Sequence, residues 1–256
     1  MKKNVYPLPL HYTDRPSLAA LQTVKERSRA FIRPALDLTP LFAYKIPVWK
    51  RTIDITGSLV GLIILFPLIV IQFLYVKIVS PGPIFFKQER VGKLGRKFLF
   101  YKFRTMDVNV DNSEHCQHLK ELIKGDTEAG SDKPMRKLDL DDDPRIIRGA
   151  RFLRKLYIDE LPQLINVLRG EMSLVGPRPC IPYEAEEYLR WHKKRFYITP
   201  GMTGLWQVNG KNKLTFKEMI RLDIKYENEC SFWLDMKIFL KTIPTVIAQA
   251  KEGKAK

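Results

Sequence analysis

RFLRKLYIDELPQLINVLRGEMSLVGPRP, residues 151–179, is the stretch around which the chain is organised. Two adjacent carboxylates, Asp159 and Glu160, stand between a cationic run (Arg151, Arg154, Lys155) and Arg178, which is clamped by Pro177 and Pro179. Pro162 precedes the apolar pattern Leu164, Ile165, Val167, Leu168. Proline is tolerated only in the first turn of a helix, so a helix is expected to begin close to Asp159. There the unpaired N–H groups and the helix dipole favour negative charge. These residues alone leave two readings: a capping carboxylate on an ordinary amphipathic helix, or a carboxylate–arginine cluster suited to a metal-bridged phosphate. The rigid Gly176-Pro177-Arg178-Pro179 spacing close to the acidic pair favours the second.

Upstream, Ile55 to Val76 carries no charged residue. A straight helix of roughly 22 residues just reaches across a ~30 Å hydrocarbon core. A buried core helix is one reading, but an uncharged run this long favours membrane contact. Lys45, Lys50 and Arg51 precede it, and Lys77, Lys87, Arg90, Lys93, Arg96 and Lys97 follow it. Cytoplasmic flanks carry excess Lys and Arg, so a straight span would leave one basic flank on the wrong side. Pro67, in the middle of the run, is where the backbone ladder can break and turn back. A re-entrant helix is expected.

The whole chain has 256 residues, 45% hydrophobic, with a formal net charge of +16 and pI near 9.7. Its partners are therefore anionic: nucleic acid, anionic lipid or phosphorylated metabolites. Cys116, Cys180 and Cys230 lack metal-ligand spacing, and three thiols cannot all pair within one chain. Residues 1–47, interrupted by six prolines from Pro7 to Pro47, read as an extension without the apolar core of a signal peptide. A short basic amphipathic helix over 18–32 is one form it can take.

Beyond Ser80-Pro81-Gly82-Pro83 the pattern alternates. IFFKQERV and KFLFYKFRTM read as two strands joined by a loop at Gly92–Gly95. The loop lacks Walker spacing and is read as a plain turn. Lys102 and Arg104 are expected to share one strand face, turned either to a phosphate or to solvent. His115 and His118 beside Cys116 read as a solvated helix rather than a metal site, and the Asp139–Asp143 run as a solvated turn without calcium-loop spacing. Tyr183–Arg195 is amphipathic, Leu214–Tyr226 is helical, and Phe232 to Val246 mixes aromatics with Lys237 and Lys241. That last pattern suits a helix in the lipid headgroup layer or one packed on the domain.

Taken in order, KRTID (50–54), SPGPIFFKQERVG (80–92), YKFRTM (101–106), DPR (143–145), FLRKLYIDELPQL (152–164), GEMSLVGPRP (170–179) and PGMTGLWQVNG (200–210) resemble the bacterial sugar transferases. More narrowly, the chain resembles the monotopic phosphoglycosyl transferases over about 48–247. The resemblance implies an α/β fold class: a small cytosolic α+β core (80–250), a re-entrant membrane helix (48–79), interfacial amphipathic helices and a basic tail (251–256). It implies transfer of a sugar 1-phosphate from a nucleotide sugar, usually a UDP-sugar, to polyprenyl phosphate, giving a polyprenyl-diphosphate sugar and UMP at the start of surface glycan synthesis. The implied setting is the cytoplasmic face of the inner membrane, with membrane lipid as partner, downstream glycosyltransferases as possible partners, and no nucleic acid.

By motif, the resemblance makes Asp159 the nucleophile of an aspartyl phosphosugar intermediate, Glu160 its partner, and Mg²⁺ the metal held by the two. Arg154 and Arg178 match phosphate-gripping arginines; Arg104 and Gln163 are further candidate contacts, and Pro67 is the membrane break. The chemistry is coherent, because a diphosphate repels nucleophiles until its charge is neutralised. Two departures stand out: Phe66-Pro67 where the family often has Ser-Pro, and Tyr157-Ile158 where small polar and Leu residues are common. Trp206–Lys211 belongs to the pattern without an assigned role. A membrane-attached scaffold would explain charge and anchor but not the acidic pair, and a nucleic-acid binder would not need the apolar run. A glycosidase needs its carboxylates on opposite sides of the bond, at least ~5 Å apart. Direct transfer through a ternary complex is the rival mechanism.

Overall fold

The computed structural model describes residues 46–107, 123 and 145–252. Residues 1–45 of the expected extension, the His115/His118 segment, Cys116, the Asp139–Asp143 run and residues 253–256 lie outside the described part. The described chain mixes helices with two small sheets, in keeping with the expected α/β class.

The apolar run forms two helices, α1 (Val48–Ile64) and α2 (Phe66–Val79), bent by 63° at Leu65. Pro67 lies in the first turn of α2, where its missing N–H removes one rung of the ladder. Leu65 N–H closes α1 on the Gly61 carbonyl, and Ile69 N–H restarts the ladder on Leu65. The break therefore forms at the proline without the hydroxyl of a Ser-Pro pair. Neither helix alone is long and apolar enough to cross a membrane; the bent pair passes that test together.

The pair is inside-out. The buried residues of α1 are Lys50, Asp54 and Ser58, whereas Val60, Ile63, Ile64, Phe66, Ile71 and Ile78 are exposed. In a water-soluble protein that distribution runs the other way. Both buried charges of α1 are paired. Lys50 Nζ donates to Asp235 Oδ2 (2.5 Å), Tyr226 Oη (2.9 Å) and the Val175 carbonyl (3.0 Å). Asp54 Oδ1 accepts from Ser173 Oγ and Leu174 N–H, both at 2.9 Å. Arg51 reaches the Val167 and Leu168 carbonyls at 2.6 Å. The KRTID motif is thus the fastener between the bent pair and the core.

Strands β1 (Phe85–Val91) and β2 (Lys97–Phe103) form the expected antiparallel hairpin, in register from Phe85↔Phe103 to Val91↔Lys97. Its loop is the plain turn expected, with Leu94 and Gly95 at positive φ. Helix α3 (Ala150–Lys155), a 3-10 turn (Ile158–Glu160) and α4 (Gln163–Arg169) follow. The α-helix proper therefore begins at Gln163 rather than at Asp159, and the acidic pair occupies a separate turn before it. Val167 of α4 packs with Phe100 and Met172 in one buried cluster.

Strand β3 (Ser173–Val175) pairs in parallel with β4 (Gly201–Thr203). Gly176 and Gly201 lie back to back, so a Cβ at either would overlap the other segment's backbone. That contact explains why the VGPRP and PGMTG motifs both carry glycine. The amphipathic Tyr183–Arg195 segment is not one helix. It divides into α5 (Pro182–Glu186) and a 3-10 segment, His192–Tyr197, in which Arg195 turns inward to an ion pair with Asp223 (2.7 Å). After α6 (Leu205–Val208), helix α7 (Phe216–Glu229) starts with a Thr215–Glu218 capping box, and α8 (Phe232–Glu252) follows. On α8, Trp233, Phe239, Leu240, Ile243 and Ile247 are exposed, while Ile238 packs with Val175, Leu205 and Tyr226.

Candidate active site

The Ile158–Glu160 turn is entered through Tyr157, a non-glycine residue in the left-handed region (φ 57°, ψ 22°). Such a conformation persists only where surrounding contacts enforce it. Tyr157 Oη donates to Gln249 Oε1 on α8, and Lys211 Nζ stands 4.3 Å from its ring centroid. The Trp206–Lys211 segment thus reaches the site by pinning this tyrosine. The turn carries both carboxylates inward, leaving Asp159 5% and Glu160 7% exposed.

The two neighbours are treated differently. Glu160 Oε1 accepts from Lys102 Nζ at 2.5 Å and from Arg178 Nη2 at 3.3 Å. Asp159 makes no ion pair among the described residues and leans on its own backbone N–H. Burial raises its carboxyl above the usual carboxylate range; Lys102 is the strongest influence pulling it back, Glu160 adds to the rise, and Arg154 opposes it. Burial likewise lowers the Lys102 ammonium, which Glu160 and then Asp159 raise again.

Arg178 is held through its peptide. Arg195 Nη2 donates to the Arg178 carbonyl at 2.8 Å, and Arg90 Nη1 donates to the Pro179 carbonyl at 3.0 Å. Burial, with Arg178 next, lowers Arg90 to about 10; its guanidinium lies 5.1 Å from the Phe100 ring centroid. Buried Arg195 and half-buried Arg90 thus leave the Arg178 guanidinium aimed at Glu160.

Of the residues expected from sequence, Asp159, Glu160, Arg154 and Arg178 come together. Arg154 acts on Asp159 through its charge while Nη1 donates to Thr105 Oγ1 at 3.4 Å. Gln163 opens α4 just after the turn, 1% exposed, with Nε2 unpaired among the described residues. Arg104 is different. It lies past the end of β2, and its guanidinium donates to the Ser80 (2.5 Å) and Pro81 (2.9 Å) carbonyls, fixing the chain where it leaves α2. In this structure it ties backbone together instead of facing the carboxylates. Lys102 takes the place at the site that sequence reasoning shared between the two. Pairing register is the signal that finds it: Lys102, Phe100 and Arg90 share one face of the hairpin.

No cluster of three or more metal-ligating side chains occurs among the described residues. The two buried carboxylates nonetheless fit Mg²⁺, which keeps several waters and takes one or two carboxylates together with substrate phosphates.

The family model described as "Bacterial sugar transferase" matches residues 45–249. The chain is 44% identical over 208 residues to the galactosyl transferase CpsE of Streptococcus agalactiae serotype III, covering 80% of this chain and 44% of that protein. It is 42% identical over 199 residues to the undecaprenyl-phosphate galactose phosphotransferase of Salmonella typhimurium, covering 77% and 40%. With the exopolysaccharide production protein ExoY of Sinorhizobium fredii it shares 40% identity over 200 residues, covering 77% and 84%. The chain thus spans less than half the length of the first two relatives and most of the third. With the matched segment enclosing both the inside-out helix pair and the carboxylate turn, this chain belongs to the bacterial sugar transferase family.

Proposed function

We propose that the chain transfers a sugar 1-phosphate from a UDP-sugar to polyprenyl phosphate in two steps, with Asp159 as the covalent carrier. The observation that carries this is the unequal treatment of two neighbouring carboxylates. Glu160 is fixed by Lys102 and Arg178, while Asp159 has no cationic partner in ion-pair contact among the described residues. A carboxylate spent in an ion pair is a poor nucleophile; a buried and poorly solvated one is a better one.

In the first step an Asp159 Oδ attacks the phosphorus bearing the sugar. The bond from that phosphorus to the bridging oxygen breaks, and UMP leaves with the bond's electron pair. In the second, a phosphate oxygen of the lipid acceptor attacks the same phosphorus and Asp159 leaves as a carboxylate, giving the polyprenyl-diphosphate sugar. Arg178 and Arg154 neutralise the non-bridging oxygens, Arg178 being presented by the Arg195 and Arg90 contacts on its loop. A bound Mg²⁺ would supply further charge neutralisation on the diphosphate. The names of the relatives support the sugar-phosphate and lipid-carrier chemistry.

The inside-out helix pair supports insertion of α1 and α2 into one leaflet of the cytoplasmic membrane, both flanks facing the cytosol. The exposed aromatic face of α8 supports a second contact with the headgroup layer.

The test is incubation of the protein with UDP-sugars, beginning with UDP-galactose, in the absence of any lipid acceptor. UMP release of about one equivalent, with the sugar phosphate retained on the protein, is expected. A direct-transfer enzyme or a scaffold releases none. A second expectation concerns pH. Attack needs the ionised carboxyl, so UMP release falls as pH drops through the raised Asp159 value. Lys102→Met removes the strongest influence holding that value down, so the acid limb of the pH–rate profile moves to higher pH. An unmoved limb would dissociate Lys102 from Asp159 ionisation.

A further inference from the structure

Helix α2 buries only Gln72 and Val76, one turn apart on a single face. The helix packs against α1, the Ile158–Glu160 turn and β2, the last two of which carry Asp159, Glu160 and Lys102. Gln72 is 1% exposed, and neither its Nε2 nor its Oε1 finds a hydrogen-bond partner among the described residues. Leaving such a group unpaired inside a protein is destabilising. Every other residue from Phe66 to Leu74 is apolar. For folding alone, leucine would serve better at position 72.

We propose that Gln72 is a ligand contact, its amide hydrogen-bonding the phosphate monoester of the lipid acceptor as that phosphate approaches Asp159. This rests on the two-step reading above. An amide offers two donors and an acceptor. A phosphate monoester, with a second pKa of about 6, offers acceptor oxygens and, in its monoanion, a hydroxyl as well. Of the two substrates, the acceptor is the one that belongs beside α2. The outer face of this helix exposes Phe66, Ile71, Phe73, Leu74 and Ile78, an apolar surface on which an isoprenoid chain can lie. The soluble nucleotide sugar instead needs the cations of the Arg178 loop and of α3. Three side-chain torsions let the Gln72 amide swing toward the turn while the helix stays in place. At the start of α4, just after the same turn in the chain, Gln163 Nε2 is also unpaired among the described residues and gives the arriving phosphate a second amide donor.

The experiment compares wild type with Gln72→Leu, purified in lipid nanodiscs, with polyprenyl phosphate and UDP-galactose or whichever UDP-sugar gives UMP. Three results are expected together: a melting temperature equal to or above wild type, donor-only UMP release within about twofold, and a KM for polyprenyl phosphate raised roughly tenfold. A lowered melting temperature with unchanged acceptor KM would make Gln72 a structural residue and overturn the proposal. Loss confined to donor-only UMP release would move the contact to the nucleotide sugar, and no change at all would also refute it. If wild type itself releases no UMP without acceptor, the two-step reading fails, while the acceptor KM of the complete reaction still decides the role of Gln72.

Discussion

Asp159→Asn loses transfer of label from a UDP-sugar to the protein by roughly ten-thousand-fold or more, while its membrane-bound fraction equals that of wild type. The amide is nearly isosteric, so the turn and its neighbours Tyr157 and Glu160 keep their contacts. What disappears is the nucleophilic oxygen. Burial at this position penalises a charge, so removing it leaves stability unchanged or increased. Loss of activity with a retained or raised melting temperature therefore separates chemistry from folding. Glu160→Gln behaves differently. It strips Lys102 and Arg178 of their shared partner and lowers stability along with turnover, because a mostly buried ammonium is left uncompensated. Labelling that survives in Asp159→Asn would remove the aspartate from the chemical step.

The second large effect concerns topology. With native cysteines replaced, Val48→Cys and Glu89→Cys, on opposite flanks of the bent pair, both escape a membrane-impermeant thiol reagent in intact cells and both react after permeabilisation. Val48 is 82% exposed, so its protection reports the membrane and not the fold. Pro67→Leu keeps this pattern. Restoring the N–H at 67 returns about 3 kcal/mol to a straight helix. Straightening, however, would pull Lys50 from Asp235, Arg51 from the end of α4 and Asp54 from β3. Hydrogen bonds to charged groups contribute about 1.5–3 kcal/mol each, so the fastener outweighs the proline. Labelling of either position in intact cells would mean that the segment crosses.

Some of this was legible in the sequence because its cause is local. Pro67 broke the ladder where a missing N–H must, alternation gave the hairpin, and the acidic pair and Arg178, close in sequence, are also close in the fold. Other features have no local cause. Lys50 and Asp235 are 185 residues apart, and nothing near either predicts a buried pair. Arg104 was grouped with Lys102 because alternation does not say where a strand ends; beyond Phe103 the chain turns and the guanidinium goes to backbone carbonyls. The helix expected to begin close to Asp159 begins only at Gln163, since Pro162 serves as its N-cap and Tyr157 takes a left-handed turn that propensity disfavours. The ion pair of Arg195, in the amphipathic Tyr183–Arg195 stretch, is equally non-local: its partner, Asp223, lies on a later helix.

Peptide-level mass spectrometry of the protein quenched during reaction with its UDP-sugar tests the central claim most directly. The account predicts the mass of one sugar phosphate on Asp159, formed without acceptor and discharged when polyprenyl phosphate is added. Product accumulating while that side chain stays unmodified would contradict it.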